Sequence, residues 1–294
     1  MRVLITGGTG FIGRALCQQL LHAGHELWVL TRNPTKAATK LEGVRLIEHL
    51  AQASQMDAVV NLAGEPLADG RWTDRRKQAF RDSRIGTTRL LLEWIENQAQ
   101  RPRVLVSGSA IGYYGPRGDE SLTETSPPGN DFSAQLCRDW ESAAMQAESL
   151  GLRVCTVRIG VVLGPDGGAL SKMLPPFKLG AGGPMGDGRQ WMSWVHRHDL
   201  VRLLQWLLEH DQARGAYNGT APTPVTNREF AQTLGKVLRR PALITTPALA
   251  LKLMFGEMAT LLLTGQRVLP AHALAEGFQF QYPELEAALT DLLA

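Results

Sequence analysis

The chain has 294 residues, 44% of them apolar and 20% charged, with a net charge of +3. That length holds one large domain or two closely joined ones, and the composition is ordinary for a globular protein. The nearly balanced charge, with no Lys/Arg block, gives no support to a nucleic-acid surface, and no apolar run is long enough to span a bilayer.

The first 160 residues alternate short β-branched runs with helical stretches. Val3-Leu4-Ile5 reads as a buried strand, 13–23 as a helix stopped by Gly24, Leu27–Thr31 as a second strand and Val44–Ile47 as a weak third. Asp57–Asn61 and Val104–Ser107 supply a fourth and a fifth. A long helix over Ser133–Leu150 follows, then a strand over Val154–Arg158. Strands alternating with helices imply right-handed crossovers and a parallel sheet covered on both faces. The expected fold is therefore α/β, a doubly wound parallel sheet over residues 1–162.

Beyond that point the texture changes. Residues 163–190 are rich in Gly and Pro, a helix over Asp199–His210 follows, and the rest reads as helices broken by prolines. Residues 163–294 are expected to form a smaller, mostly helical lobe over the mouth of the sheet, with a late strand near 215–219 returning to it. Ligands of open α/β sheets bind beyond the C-terminal strand ends, so such a lobe would shape a substrate cleft.

The strongest motif is Thr6-Gly7-Gly8-Thr9-Gly10-Phe11-Ile12-Gly13, directly after the first strand. Gly7 and Gly10 allow a tight turn whose N–H groups approach a pyrophosphate, and Gly13 lets the helix pack closely on the strand. The helix that opens there offers unpaired N–H groups and its positive dipole end to an anion. At the end of the second strand, Leu30-Thr31-Arg32-Asn33-Pro34 holds no acid to bind both ribose hydroxyls of NAD. An arginine there can fork onto a 2′-phosphate, so NADP(H) is the expected cofactor. Asn61-Leu62-Ala63-Gly64 closes the fourth strand with small residues that let the backbone lie against a ribose.

These motifs, with the Ser107–Ser109 strand end and Arg158-x-Gly160-x-Val162-Leu163-Gly164, resemble the extended branch of the short-chain dehydrogenase/reductase superfamily. The stretches NLAGEPLADGRW, GSAIGYYG, MLPPFKLGAGGPMGDGRQWMSWVHRHDL and GQRVLPAHALAEGFQF are similar to its "epimerase family protein" subgroup, along essentially the whole chain. The resemblance implies a Rossmann fold and an NADP(H) site of Gly7, Thr9, Gly10, Phe11, Ile12, Gly13, Thr31, Arg32, Leu62, Ala63, Gly64, Glu65, Arg84, Ser107 and Val161. It leaves monomer and homodimer both open.

The superfamily's chemistry uses a Ser, a Tyr and a Lys four residues after the Tyr, which tunes the phenol. The four tyrosines here, Tyr113, Tyr114, Tyr217 and Tyr282, are followed at that interval by Arg117, Gly118, Ala221 and Glu286. On the expected helix the pair becomes Ser133 and Cys137, ahead of Glu141, and Arg138 cannot be tuned as a lysine can. The remaining catalytic candidates are Ser107, Ser109, Tyr113 and Tyr114; the alternative for the two tyrosines is that both pack as loop anchors, each hydroxyl bonded to backbone.

His196, His198 and Asp199 do not make a metal site: the histidines of an extended segment would diverge, and Asp199 reads as a helix N-cap. Trp191 and Trp194 are candidates to line an apolar pocket. Cys17, Cys137 and Cys155 show neither metal nor disulfide spacing, which suits a reducing compartment. With no cleavable leader ahead of the first strand, a cytoplasmic protein is expected. Two functions fit: an NADP-dependent oxidoreductase or epimerase on a small carbonyl or hydroxyl compound, and a non-catalytic NADP(H)-binding sensor or scaffold.

Overall fold

A computed structural model describes all 294 residues. Seven strands form one sheet: β1 (Arg2–Thr6), β2 (Glu26–Leu30), β3 (Arg45–Ile47), β4 (Ala58–Asn61), β5 (Val104–Ala110), β6 (Arg153–Ile159) and β7 (Gly215–Gly219). All neighbours are parallel, in the order β7-β6-β5-β4-β1-β2-β3. The order reverses between β1 and β4, which opens a crevice at their C-terminal ends.

Alternation along the strands builds two cores. Val3 and Ile5 of β1, Val60 of β4 and Val106 of β5 face one way, against α1 (Phe11–His22). Leu4, Val59 and Leu105 face the other way, against Leu91, Trp94 and Ile95. The first side is completed by a helix from the second half of the chain, Arg197–Glu209, whose Leu200, Leu203, Leu204 and Leu207 are fully buried. β7 pairs with β6, so the late strand expected near 215–219 returns to the sheet, and the helix Arg197–Glu209 ahead of it packs on one face.

On the second side the chain runs as α2 (Asp74–Arg81), a π-turn (Asp82–Gly86) and α3 (Thr87–Glu96), then returns as α4 (Phe132–Met145). The long helix expected to Leu150 gives way to a 3₁₀ turn over Gln146–Leu150. The Gly/Pro-rich stretch hides a helix the sequence did not announce, α5 (Gly168–Lys178), which carries Pro175 and Pro176 inside it. It packs with α6 (Asn227–Leu238) and α7 (Leu285–Leu293) around Trp194, Phe177 and Phe230 as the core of the second lobe. Trp194 is therefore core, not pocket lining: it is fully buried, with its indole N–H on the Thr223 carbonyl.

Asp199 is not the N-cap of its helix either. His196 caps it, its Nδ1 accepting from the His198 N–H, while buried Asp199 accepts from the backbone N–H groups of Gln281 and Tyr282, each at 2.8 Å. It thus ties down the C-terminal segment. No helix is long and apolar enough to cross a membrane, and no cluster of His, Cys, Asp and Glu is arranged to hold a metal ion.

Candidate cofactor and active site

The crevice floor is the glycine loop. Gly7 sits at φ +72°, and a Cβ there would lie 2.4 Å from the Leu62 carbonyl oxygen, so the β1 and β4 exits touch backbone to backbone. A Cβ on Gly13 would stand 2.2 Å from the Gly7 oxygen. Gly10 starts α1 with no side-chain cap and no acid in the first turn. The helix therefore presents uncapped N–H groups and its positive end to the crevice, an arrangement that suits a pyrophosphate.

At the β2 exit, Arg32 is 97% exposed and approaches only Glu65, at 3.9 Å. Such a guanidinium is free to take a phosphate. Thr31 beside it bonds through its backbone to Ile47 of β3. Asn33 caps the short helix Pro34–Ala38 by accepting from the Lys36 N–H, which fixes where the loop turns.

Asn61 links the crevice to the π-turn. Its Oδ1 accepts from the Thr6 hydroxyl at 2.6 Å, and its amide donates to Thr88, whose hydroxyl donates to the Arg84 carbonyl. The π-turn swings Arg84 back over the β4 exit, where it donates to the Glu65 carbonyl at 2.9 Å and lies against Gly64. Burial lowers the Arg84 pKa. In this structure it clamps the Leu62–Glu65 exit.

The roof comes from the second lobe. The Phe11 ring lies so close to Gly164, Gly167 and Gly168 that a Cβ on any of them would come within 2.8 Å of it. Asp166 in that loop pairs with Arg14 of α1 and with Arg197. Nothing in the glycine spacing announced this second cradle; its only trace is the run Gly164-Pro165-Asp166-Gly167-Gly168. Val161 lies alongside, its N–H on the Ser193 carbonyl.

The catalytic candidates separate at the β5 exit. Ser107 and Ser109 are buried, and the Ser109 hydroxyl donates to Glu141 at 2.6 Å. Glu141 grips Arg158 of β6 through both oxygens, each at 2.9 Å, and Arg158 in turn donates to the Tyr114 hydroxyl and the Glu124 carbonyl. Tyr114 must be removed from the catalytic set: it is fully buried and donates to Asn218 at 2.7 Å. Burial pushes its pKa up to about 12, against the opposing pull of Arg158 and Asn218. Tyr113 is half-exposed, and its hydroxyl bonds to nothing in the protein; its ring lies face-on to Arg158, 3.5 Å from centroid to guanidinium carbon.

Ser133 and Cys137, at the positions of the missing pair, are both buried beneath Gly112, whose Cβ would sit 3.2 Å from that of Ser133. The Ile111–Tyr114 turn thus packs directly over both residues. Burial, reinforced by the charge of Glu141, raises the Cys137 thiol to about 12, so it carries no charge at neutral pH. Sequence reasoning missed the Glu141–Arg158 pair. The available signal was a charged residue in each of two apolar faces, which must find a partner.

Residues 3–218 match the NAD dependent epimerase/dehydratase family, and residues 246–292 match a domain of unknown function, DUF1731. The chain belongs to the NAD dependent epimerase/dehydratase family. Within it, the chain is 44% identical to the chloroplastic epimerase family protein SDR39U1 homolog of Arabidopsis thaliana, over 100% of this chain and 87% of that one. It is 36% identical to the epimerase family protein YfhF of Bacillus subtilis, over 100% and 98% of the two chains. The crystal structure of the human epimerase family protein SDR39U1 (isoform 2), solved with NADPH, superposes with a TM-score of 0.90 at 40% identity, over 99% of each chain. The family assignment agrees with the doubly wound sheet and the glycine loop already described.

Proposed function

We propose that this family member binds NADP(H) and uses it as an oxidoreductase or epimerase on a small carbonyl or hydroxyl compound. The observation that carries the cofactor is Arg32, exposed at the β2 exit with no acid on that strand end. The glycine cradle fits a dinucleotide because both close contacts, Gly7 on Leu62 and Gly13 on Gly7, bring backbone where a pyrophosphate needs it. The NADPH present in the human relative supports the same choice.

In this reading the α1 N-terminus and the Gly7–Gly13 loop hold the pyrophosphate, Arg32 the 2′-phosphate, and Leu62–Glu65 the adjoining ribose. When bound, the nicotinamide supplies or accepts the hydride. Tyr113 gives a proton to, or takes one from, the substrate oxygen, since its hydroxyl is the one tyrosine oxygen at the β5 exit not tied into the fold. Ser107 and Ser109 shape the floor beneath it. The three free, buried cysteines suit a reducing compartment, here the cytoplasm.

A second reading has its own observation. Ser133 and the neutral Cys137, covered by Gly112 at the positions of the missing pair, fit a protein that binds NADP(H) and reports it without turnover.

Titration with NADPH and NADH, followed by nicotinamide fluorescence, tests the cofactor. Wild type should prefer NADPH, and Arg32→Ala should lose about 1.5–3 kcal/mol of that preference, the range for a hydrogen bond to a charged group. Equal affinities in the wild type would sink the reading. Oxidation of bound NADPH by any member of a carbonyl panel would decide for the enzyme over the sensor.

A further inference from the structure

The roof segment does more than cover the glycine loop. Between the fully buried Leu163 and Leu170, residues 164–169 leave the core, with Pro165, Asp166 and Gly168 exposed. They lie on the ring of Phe11, the first residue of α1, and run on into the first turn of α5. The NADP(H) reading above puts the pyrophosphate at that end of α1.

The segment is fastened on both sides of the sheet. Asp166 takes Arg14 of α1 at 3.1 Å and Arg197 at the start of the helix Arg197–Glu209, and both of those helices pack on the first side. Lys172, one turn into α5, reaches toward the second side. Its ammonium donates to the Ala68 carbonyl at 3.2 Å and to the Asp69 carboxylate at 2.5 Å. That loop follows β4 and is tied to α2, because Arg76 donates to the Pro66 and Asp69 carbonyls. The crevice at the β1 and β4 ends lies between the two sets of anchors. Residues 164–172 therefore bridge it from one face to the other.

The fastenings are of a kind that opens. The side chains of Asp166, Lys172 and Asp69 are 47%, 59% and 52% exposed, and ion pairs between exposed groups are weak and screened by salt. The ends of the roof segment are held far more firmly, since Leu163 and Leu170 both sit in the second core. A segment fixed at its ends and lightly held between them can lift without unfolding the lobe. A dinucleotide laid along the strand ends, beneath a bridge that joins both faces, cannot pass while the bridge is shut.

We propose that residues 164–172 form a strap over the cofactor crevice, latched through Asp166 and Lys172, that must open each time NADP(H) enters or leaves. This rests on the NADP(H) reading and adds the control of cofactor exchange to it. A latch that is shut both before and after binding raises the barrier in both directions. It lengthens the stay of the cofactor without changing its affinity.

The test is stopped-flow nicotinamide fluorescence on the full-length protein, following NADPH association and, by displacement with excess NADP+, its dissociation. Asp166→Asn and Lys172→Gln should each speed both rates about threefold and the double variant about tenfold, with Kd within about twofold of wild type. Gly167→Ala should do the same without altering any charge, because its Cβ would meet the Phe11 ring at 2.7 Å and lift the segment. Lys236→Gln, which breaks an exposed ion pair with Glu286 elsewhere in the second lobe, should change neither rate. Added KCl should quicken dissociation from wild type more than from the double variant. The proposal is overturned if the double variant exchanges NADPH as wild type does, or if Gly167→Ala does. It is also overturned if dissociation quickens while association stays the same, which would make Asp166 and Lys172 direct holders of the cofactor. Failure of the wild type to bind NADPH at all would instead remove the reading on which it rests.

Discussion

Arg158 lies face-on to Tyr113, its guanidinium carbon 3.5 Å from the ring centroid, while its hydrogen bonds run to Glu141 and Tyr114. One cation therefore touches two adjacent tyrosines in different ways: it bonds the oxygen of the buried one and supports the ring of the half-exposed one. The two rings meet edge to face at 5.3 Å. Because the contacts differ, removing each hydroxyl has a different consequence.

Tyr113→Phe keeps the ring on Arg158 and removes an oxygen that bonds to nothing in the fold. Its stability should stay within about 0.5 kcal/mol of wild type, as for a change away from any buried polar contact. If Tyr113 moves the proton, turnover of a carbonyl substrate should fall by about 10²-fold or more, with NADPH affinity unchanged. Tyr114→Phe should do the reverse and cost about 1–3 kcal/mol, since Asn218 and Arg158 lose a buried partner. Urea denaturation and NADPH oxidation on the two variants separate the roles; equal loss of activity with equal loss of stability would refute the division.

The Glu141–Arg158 pair should be much worse broken than absent. The two side chains are 11% and 5% exposed. Glu141→Gln leaves a buried cation half-compensated, and a loss of about 3–5 kcal/mol is expected, or a Tm lower by roughly 10 °C. Replacing both residues by methionine should cost less than the two single changes added together. A strictly additive double-mutant cycle would show that the two do not act as a pair.

The sheet was legible because its strands are continuous apolar runs and its crossovers have characteristic lengths. The glycine loop was legible because Gly7 and Gly13 answer a backbone contact that no other residue can make. What could not be read were contacts between distant segments. Asp199 has the composition of an N-cap but is taken by Gln281 and Tyr282, some eighty residues on. Tyr113 and Tyr114 are neighbours of one type, and only the partner Asn218, from β7, decides which of them is buried. Helix α5 was obscured by its own glycines and prolines, because its stability comes from Leu170 and Phe177 in the second core and not from local propensity.

Gly13→Ala tests the cradle directly. Its Cβ would stand 2.2 Å from the Gly7 oxygen and 2.7 Å from the Gly8 Cα, so the α1 start must move off the β1 exit. NADPH affinity should fall tenfold or more, with a stability loss of about 1–3 kcal/mol from overpacking. Gly86→Ala, in the π-turn with nothing within 4 Å of the new Cβ, should be neutral or stabilising by up to about 1 kcal/mol. Fluorescence titration and thermal unfolding on both variants are sufficient; unimpaired NADPH binding by Gly13→Ala would detach the loop from the cofactor.

Burial of the three thiols and of Tyr114 should make the protein sensitive to alkali. The unfolded chain ionises these groups near their ordinary values of 9.0 and 10.0, whereas in the native fold burial holds Cys17, Cys137 and Tyr114 up at about 12 and Cys155 at about 11. Above pH 9 the unfolded state therefore binds fewer protons than the native one, and stability falls as pH rises. Each group contributes at most about 1.4 kcal/mol per pH unit, and the loss levels off near pH 12 when both states are ionised. Urea midpoints measured from pH 8 to 11 should decline accordingly. At pH 8 a thiol reagent should label none of the three cysteines in native protein and all of them after denaturation. A stability flat across that range, with rapid native labelling, would mean that the thiols are open to solvent and that the packing of Cys17 behind β2 and of Cys137 beneath Gly112 is looser than the contacts imply.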